Sequence, residues 1–180
     1  MIQAKKNNQA GFSLIETVIY VGALAILVVV LSDLALGLVK NYRLVRVKES
    51  LALSADQVSG AFWRETRNAS LIYLPTTVFD SDYGELSLTT DFQPTGGGEP
   101  TTYTDIYRAE NRVWLKKEGG TPQALTSPSA EVTRFKLVRS SGAGGKEGAR
   151  FYLDLKAADY PNETFSVTGF AVMRGGYVQE

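Results

Sequence analysis

One long apolar segment near the N-terminus limits what this chain can fold into more than any other feature. It runs from Phe12 to Leu31 and is followed by Ser32 and Asp33. As a helix, about 20 residues span roughly 30 Å, the thickness of the hydrocarbon core of a bilayer. Val, Leu, Ile and Ala dominate the segment, and it contains no Pro. The sequence therefore predicts a single membrane-spanning helix.

A cleaved secretory signal peptide is the alternative interpretation of this segment. The apolar core of such a signal is about 7–15 residues long and precedes a cleavage site with small residues. Here the apolar run is longer, and the Leu-Ser-Asp-Leu sequence at residues 31–34 is a poor cleavage site. Both departures favour a helix that stays in the membrane.

The amino-acid composition excludes most common enzyme mechanisms. The chain of 180 residues has no Cys and no His, which removes thiolate nucleophiles, disulfides, imidazole bases and zinc-cysteine sites. Lys and Arg total 19 and Asp and Glu total 19, whereas proteins that neutralise nucleic-acid phosphates usually carry a basic excess. We therefore expect a protein that is not an enzyme, needs no cofactor and does not bind nucleic acid.

One acidic residue, Glu16, lies inside the apolar segment near its start. A carboxylate costs about 2.5–3.5 kcal/mol at the centre of a membrane helix and less near the interface, so such a residue is a functional candidate. The alternative is that Glu16 lies shallow enough to reach the interface or to be protonated, and has no function.

The neighbours of Glu16 favour the functional interpretation. The sequence Gly-Phe-Ser-Leu-Ile-Glu at residues 11–16 resembles the type IV prepilin (class III) signal. This resemblance implies that a prepilin peptidase cleaves between Gly11 and Phe12 and then methylates the new amine of Phe12. It also implies that Glu16 pairs with the terminal amine of an adjacent subunit and sets the axial register. Pairing two charges in lipid offsets the cost of burying each one.

The same resemblance implies the organisation and location of the whole protein. The chain has four segments: a leader peptide with basic Lys5 and Lys6 (1–11), a transmembrane and filament-core helix (12–33), a helical spine (34–74) and a β-rich head (75–180). The implied location is the inner (cytoplasmic) membrane, crossed once, with a cytoplasmic N-terminus and a periplasmic head. The implied partners are the peptidase, other pilin or pseudopilin subunits, the inner-membrane assembly platform and the lipid bilayer.

The helical pattern continues beyond the apolar segment. Between Ser32 and about Ile72 there is no Pro, and apolar residues recur at spacings of three, four or seven, which indicates one apolar stripe on a helix. The stripe consists of Leu34, Leu38, Tyr42, Val45, Ala52, Ala55, Val58, Phe62 and Ala69. We predict a continuous helix from Phe12 to about Ser70, with Leu74-Pro75 as its stop signal.

After Pro75, short segments rich in β-branched and aromatic residues predict about six antiparallel strands. A tight hairpin turn is predicted at Ala109-Glu110-Asn111, and alternation at residues 151–156 predicts one buried and one wet face. The predicted segments are 86–90, 101–107, 112–116, 132–139, 150–156 and 164–173. The predicted fold class is α+β, a pilin-like arrangement in which the C-terminal half of the helix packs on an antiparallel sheet.

The head has a second resemblance. The segments 107–116, 125–127 and 132–135 are similar to minor pilins and to J-type pseudopilins of type II secretion, and the upper-helix segment 62–69 resembles the end of their helical spine. That similarity implies a minor component of a filament. Many major pilins close a C-terminal loop with a disulfide, which this chain without Cys cannot form.

Three acidic residues form a weak calcium candidate. Asp80, Asp82 and Glu85 offer oxygen ligands, and Ca²⁺ accepts six to eight of these. The spacing departs from an EF-hand, because Gly84 falls one position early and Asp91 occupies position twelve. The alternative is a solvated turn that leads into a strand.

Two glycine-rich segments and one basic cluster are further candidates for binding sites. Neither Gly96–Glu99 nor Gly144–Glu147 has the Lys-Ser/Thr pair of a phosphate-binding loop. A basic cluster after the apolar segment can contact lipid headgroups or acidic residues of neighbouring subunits. Contact with DNA during uptake is a third alternative, and the balanced total charge argues against it. Its members are Lys40, Arg43, Arg46 and Lys48.

Together these patterns predict a structural protein, a minor pilin or pseudopilin. Its assembly would be a type IV pilus (fimbrium), including the DNA-uptake pili of competence systems, or the pseudopilus of type II secretion. The alternative is a membrane-anchored extracytoplasmic β-domain that acts as a binding module or an enzyme, with the helix as a plain tether.

Overall fold

The computed structural model describes residues 13–91, 101–141 and 146–177. They form one helix and two antiparallel sheets, which confirms the predicted α+β class. The elements are α1 (Leu14–Asn68), β1 (Leu71–Ile72), β2 (Glu85–Asp91), β3 (Thr101–Ala109), β4 (Arg112–Lys117), β5 (Gln123–Ala124), β6 (Ala130–Ser141), β7 (Lys146–Ala157) and β8 (Thr164–Tyr177).

The chain divides into two compact units, one up to Leu44 and one from Val45 onward. In the first unit, α1 contains an 18-residue window with a mean hydropathy of 2.6, none of which is buried. Within the described part of the chain, α1 is the one helix long and apolar enough to cross a membrane. A single-pass membrane protein is compatible with this helix.

The second unit, the head, contains the rest of α1 and all the strands. Its five-stranded sheet has the order β1-β2-β3-β4-β5, and its three-stranded sheet has the order β6-β7-β8. The predicted turn between β3 and β4 is confirmed, because Glu110 and Asn111 have φ angles of 51° and 57°. Two central residues with positive φ make the tight turn that suits the twist of a hairpin.

The helix ends at Asn68, two residues before the predicted end at about Ser70, which confirms that prediction. The predicted spine segment, drawn up to residue 74, extends beyond the helix. Instead, Leu71 and Ile72 pair with β2, and the Ser70 N–H donates to the Thr89 carbonyl oxygen at 2.8 Å. Hydrogen bonds to a distant strand thus outweigh the helical preference of this segment, which contains no local stop signal before Pro75.

Only the last part of the predicted apolar stripe reaches the core. Ala55, Val58 and Phe62 are buried as expected, but Ala52 is exposed and Leu51 is buried in its place. Four predicted members nearer the N-terminus are exposed: Leu34, Leu38, Tyr42 and Val45. Packing against the core of the head therefore begins at Val47, which is partly buried against it, whereas Leu34, Leu38 and Val45 are exposed in the described structure.

Aromatic side chains from the helix and the three-stranded sheet meet at the centre of the head. The rings of Phe62 in α1 and Phe151 in β7 have centroids 4.6 Å apart, and Phe135 in β6 lies 6.4 Å from Phe151. Leu153 and Leu155 continue the buried face of β7, as the alternation predicts. This cluster fixes the helix on the inner face of the sheet.

The connection between β1 and β2 links the two sheets. The Gly84 N–H donates to the Phe135 carbonyl oxygen at 2.8 Å, and the Phe135 N–H donates to the Asp82 carbonyl oxygen at 3.0 Å. Arg108 in β3 donates from Nη1 to the carbonyl oxygens of Asp82 (2.9 Å) and Thr133 (2.8 Å). The connection therefore covers the edge of β6 and joins it to the larger sheet.

Candidate functional site

The candidate site is the first turn of α1. Ser13 precedes the helix, and its Oγ accepts a hydrogen bond from the Glu16 N–H at 3.3 Å, as an N-cap residue does. The Thr17 N–H donates to the Ser13 carbonyl oxygen at 3.2 Å. Glu16 is the acidic residue of this turn, where a negative charge interacts favourably with the helix dipole. The Gly-Phe-Ser-Leu-Ile-Glu sequence that contains Glu16 therefore also contains the start of the helix.

The side chain of Glu16 lies against the residue one turn later. Tyr20 Oη donates a hydrogen bond to Glu16 Oε1 at 3.1 Å. Glu16 is half-buried, whereas the neighbouring Ile15 is 70% exposed. The sequence analysis missed Tyr20, although the spacing of four residues on a helix was the signal that could have found it.

Glu16 stands alone at the start of a long apolar face. From Thr17 to Leu31 there is no charged residue, and the next one is Asp33. The Ser32 hydroxyl donates a hydrogen bond to the Val28 carbonyl oxygen at 2.8 Å. Polar groups in lipid need internal partners of this kind. The apolar face is therefore interrupted at its beginning by one carboxyl group.

The residues predicted to take part in cleavage and methylation lie outside the described residues. These are Lys5 and Lys6 of the leader, Gly11 at the predicted cleavage position and Phe12 at the predicted methylation position. Cleavage and methylation therefore remain predictions from the sequence.

The basic cluster divides between the two units. Lys40 and Arg43 are exposed in the first unit. In the head, Lys48 forms an ion pair with Glu163, its Nζ lying 3.4 Å from Oε2. Arg46 lines a groove of the head and is exposed. Lys48 thus has an acidic partner inside the head, which reduces the charge that this residue leaves for headgroups or neighbouring subunits.

The calcium candidate does not assemble. Asp80 pairs with Lys136 across 3.2 Å, and the Asp82 carbonyl oxygen accepts from Arg108. Burial, with a smaller contribution from the charge of Asp105, raises the pKa of Glu85 above its usual 4.5. Across residues 13–91, 101–141 and 146–177, no three acidic side chains are close enough together to hold a metal ion. Asp80 and Asp82 are exposed and Glu85 begins β2, so these residues form the solvated turn leading into a strand that was the alternative interpretation.

Two carboxylates that the sequence analysis did not single out are buried in the head. Glu65 is 7% exposed, and Lys117 Nζ lies 3.0 Å from its Oε2. Glu147 is 3% exposed and pairs with Arg139 across 2.6 Å. Each joins two elements and has a basic partner, so both have a structural role. Gly96–Glu99 and residues 144–145 lie outside the described residues.

The two larger open grooves on the described surface of the head are candidate binding sites. One, of about 560 Å³, is lined by Arg46, Glu49, Ser50, Leu53, Ser54, Gln57, Ala124, Thr126 and Ser127. The other, of about 540 Å³, is lined by Trp63, Arg67, Lys146, Phe170, Ala171, Val172, Met173 and Arg174. The first holds one carboxylate and the second holds none, so neither groove contains a carboxylate pair for general acid–base chemistry.

No family model, curated protein or solved structure matches this chain.

Proposed function

We propose that this protein is a minor pilin or pseudopilin, a structural subunit of a type IV pilus or a type II secretion pseudopilus. A prepilin peptidase removes residues 1–11 and methylates Phe12, and the subunit then enters a filament through its N-terminal helix. The head lies outside the cytoplasmic membrane and contacts neighbouring subunits.

The carboxyl group at the start of the apolar helix is the observation that carries this proposal. A plain membrane tether gains nothing from Glu16, because a carboxyl group in hydrocarbon is costly. The cost is offset when the freed amine of Phe12 in a neighbouring subunit approaches Glu16 and the two opposite charges pair. The Gly-Phe-Ser-Leu-Ile-Glu sequence places the predicted cleavage position one helical turn from that carboxyl group.

The helix and the head support the same proposal. The exposed apolar surface of α1 extends past the predicted membrane span to Leu34, Leu38 and Val45. An apolar surface of this length needs a partner in water, because such patches mark interaction sites. Packing against the helices of neighbouring subunits covers it.

Mass spectrometry of the mature N-terminus tests the proposal. The protein is purified from membranes of its native host and digested, and the N-terminal peptide is sequenced. We expect a peptide that begins at Phe12 with a methylated amine. A chain that retains residues 1–11 contradicts the proposal and favours the membrane-anchored β-domain with a plain tether.

A variant at the cleavage position supplies the matched control. Gly11→Ala places a side chain where the peptidase must approach the backbone closely, so we expect this variant to keep its leader and to remain in the membrane. Gly22→Ala is the comparison, since no atom lies within 4 Å of a Cβ at that position. We expect it to be processed and assembled like the wild type.

A further inference from the structure

Tyr20 supplies the hydrogen bond that the Glu16 carboxyl group receives within its own helix. Its hydroxyl donates to Oε1, whereas Oε2 accepts no hydrogen bond from residues 13–91, 101–141 or 146–177. The carboxyl group is therefore held by one oxygen and leaves the other oxygen available to a second donor.

The neighbouring hydroxyl groups do not take this role. Ser13 Oγ accepts from the backbone N–H of Glu16, and Thr17 Oγ1 donates to the Ser13 carbonyl oxygen at 3.4 Å. Both hydroxyls thus bind the backbone of the first turn. Tyr20 reaches the carboxylate because residues four apart lie on the same face of a helix.

A donor from the same helix is in place before the neighbouring subunit arrives. A polar group without a partner in hydrocarbon costs several kcal/mol, and the phenol hydroxyl lowers that cost in the free and the docked subunit alike. It also restricts the carboxyl group to one orientation before docking, so less conformational freedom is lost when the neighbour binds. Tyr side chains suit this place because the ring is apolar and the hydroxyl is polar.

We propose that Tyr20 is a positioning residue for subunit docking. It holds the Glu16 carboxyl group so that Oε2 faces the amine of the incoming neighbour. Tyr20 acts through Glu16 and does not itself contact that amine. This inference rests on the proposed function, since it assigns a partner to the docking residue of the filament subunit.

Tyr20→Phe in the full chain tests the role in assembly, because it removes the hydroxyl and keeps the ring. The native host expresses the variant, and the subunit is quantified in sheared filaments and in membranes. We expect the filament-to-membrane ratio to fall roughly tenfold, which corresponds to about 1.4 kcal/mol, because a carboxyl group that is free to rotate loses conformational freedom when the neighbour docks. Leader removal and methylation should stay normal. Tyr42→Phe, a hydroxyl removed from the same helix far from Glu16, should leave the ratio unchanged.

A spectroscopic measurement tests whether Tyr20 acts through Glu16. A single 3-fluorotyrosine is placed at position 20 of the full chain, which is reconstituted in phosphatidylethanolamine–phosphatidylglycerol vesicles. We expect the ¹⁹F resonance to shift on Glu16→Ala, whereas a label at position 42 should not respond. A change in tyrosine packing elsewhere would not produce this dependence.

The outcomes separate this inference from the proposed function. Wild-type assembly of Tyr20→Phe, in a host where Glu16→Ala is excluded from filaments, overturns the role of Tyr20 alone. A tenfold loss without any ¹⁹F response to Glu16→Ala also overturns it, because Tyr20 would then act independently of Glu16. A wild-type chain that keeps residues 1–11 overturns the proposed function and the docking role together.

Discussion

Gly169 in β8 gives the ring of Phe151 the space it occupies at the centre of the head. A Cβ at this glycine would overlap the ring, which is fully buried between the helix and the sheet. We expect Gly169→Ala to lower the free energy of unfolding by about 1–3 kcal/mol, the usual cost of overpacking a core. Urea unfolding of the detergent-solubilised chain, followed by tryptophan fluorescence, measures this change.

A second glycine provides the matched control. Gly60 lies in the helix with open space around it, since no atom is within 4 Å of a Cβ there. Because glycine weakens a helix interior, Gly60→Ala should raise the free energy of unfolding by about 0.5–1 kcal/mol. Equal effects of the two substitutions would show that Phe151 yields to the added methyl group.

Glu85 makes the stability of the head depend on pH. Burial and then the charge of Asp105 raise its pKa in the folded state above 4.5. The protonated form is therefore favoured by folding, and this stabilisation is complete below pH 4.5 and is lost as the pH rises through the folded-state pKa. Glu85→Gln, which mimics the protonated form, should stabilise the head at pH 7 by up to about 0.5 kcal/mol.

Urea unfolding of both proteins at several pH values checks this prediction. The difference between Glu85→Gln and the wild type should shrink as the pH falls towards 4.5. A difference that is the same at pH 4 and pH 7 would contradict a role for the charge of Glu85.

At the scale of secondary-structure elements, the side chain of Arg108 links β3, the β1–β2 connection and β6. It donates to two backbone carbonyl oxygens, and its Cζ lies 4.2 Å from the centroid of the Tyr83 ring. Arg108→Met leaves both carbonyl oxygens without this donor and should cost about 2 kcal/mol of unfolding free energy. Urea unfolding measures the loss.

Arg150→Met is the control for Arg108→Met. Arg150 in β7 is exposed, with its Cζ 6.0 Å from the centroid of the Phe170 ring. Its replacement should change the unfolding free energy by no more than about 0.5 kcal/mol. A similar loss for both variants would indicate a general effect of removing positive charge rather than the loss of the link between the sheets.

The elements that the sequence predicts well are those whose signal is local. The β3–β4 hairpin follows from Glu110-Asn111 between two alternating segments, and the long strands follow from their own composition. In contrast, β1 and β5 have two residues each and exist through pairing with one other strand, β1 with the distant β2 and β5 with the preceding β4. The prediction that Ala52 belongs to the buried stripe was wrong, because the fit against the head, not the helical period, decides which residues are buried.

The residues of the candidate site and of the buried ion pairs also divide into those that the sequence predicts and those that it does not. The sequence places Glu16 in the first turn of an apolar helix, because the motif and the hydropathy pattern are contiguous. Tyr20 and the buried pairs of Glu65 and Glu147 depend on side-chain directions and on contacts between elements, which composition does not contain. A weak spacing match predicted calcium ligands at Asp80, yet that side chain pairs with Lys136.

At the scale of the whole molecule, the two units bury their apolar surface in different surroundings. The head has its own core, which extends from Leu51 to Met173 within the described residues. Within the described residues, the helix before Val45 has exposed apolar side chains. This part of the helix is long and apolar enough to cross a membrane.

This division predicts that residues 45–180 fold without the first unit. All the core residues of the head lie within that range, so the fragment should unfold cooperatively in urea, with a free energy within about 1 kcal/mol of the head in the full chain. After cell lysis and an alkaline carbonate wash, the full chain should stay in the membrane pellet and the fragment in the supernatant. A fragment that binds a hydrophobic dye and unfolds without a sharp transition would show that the first unit is needed to complete the core.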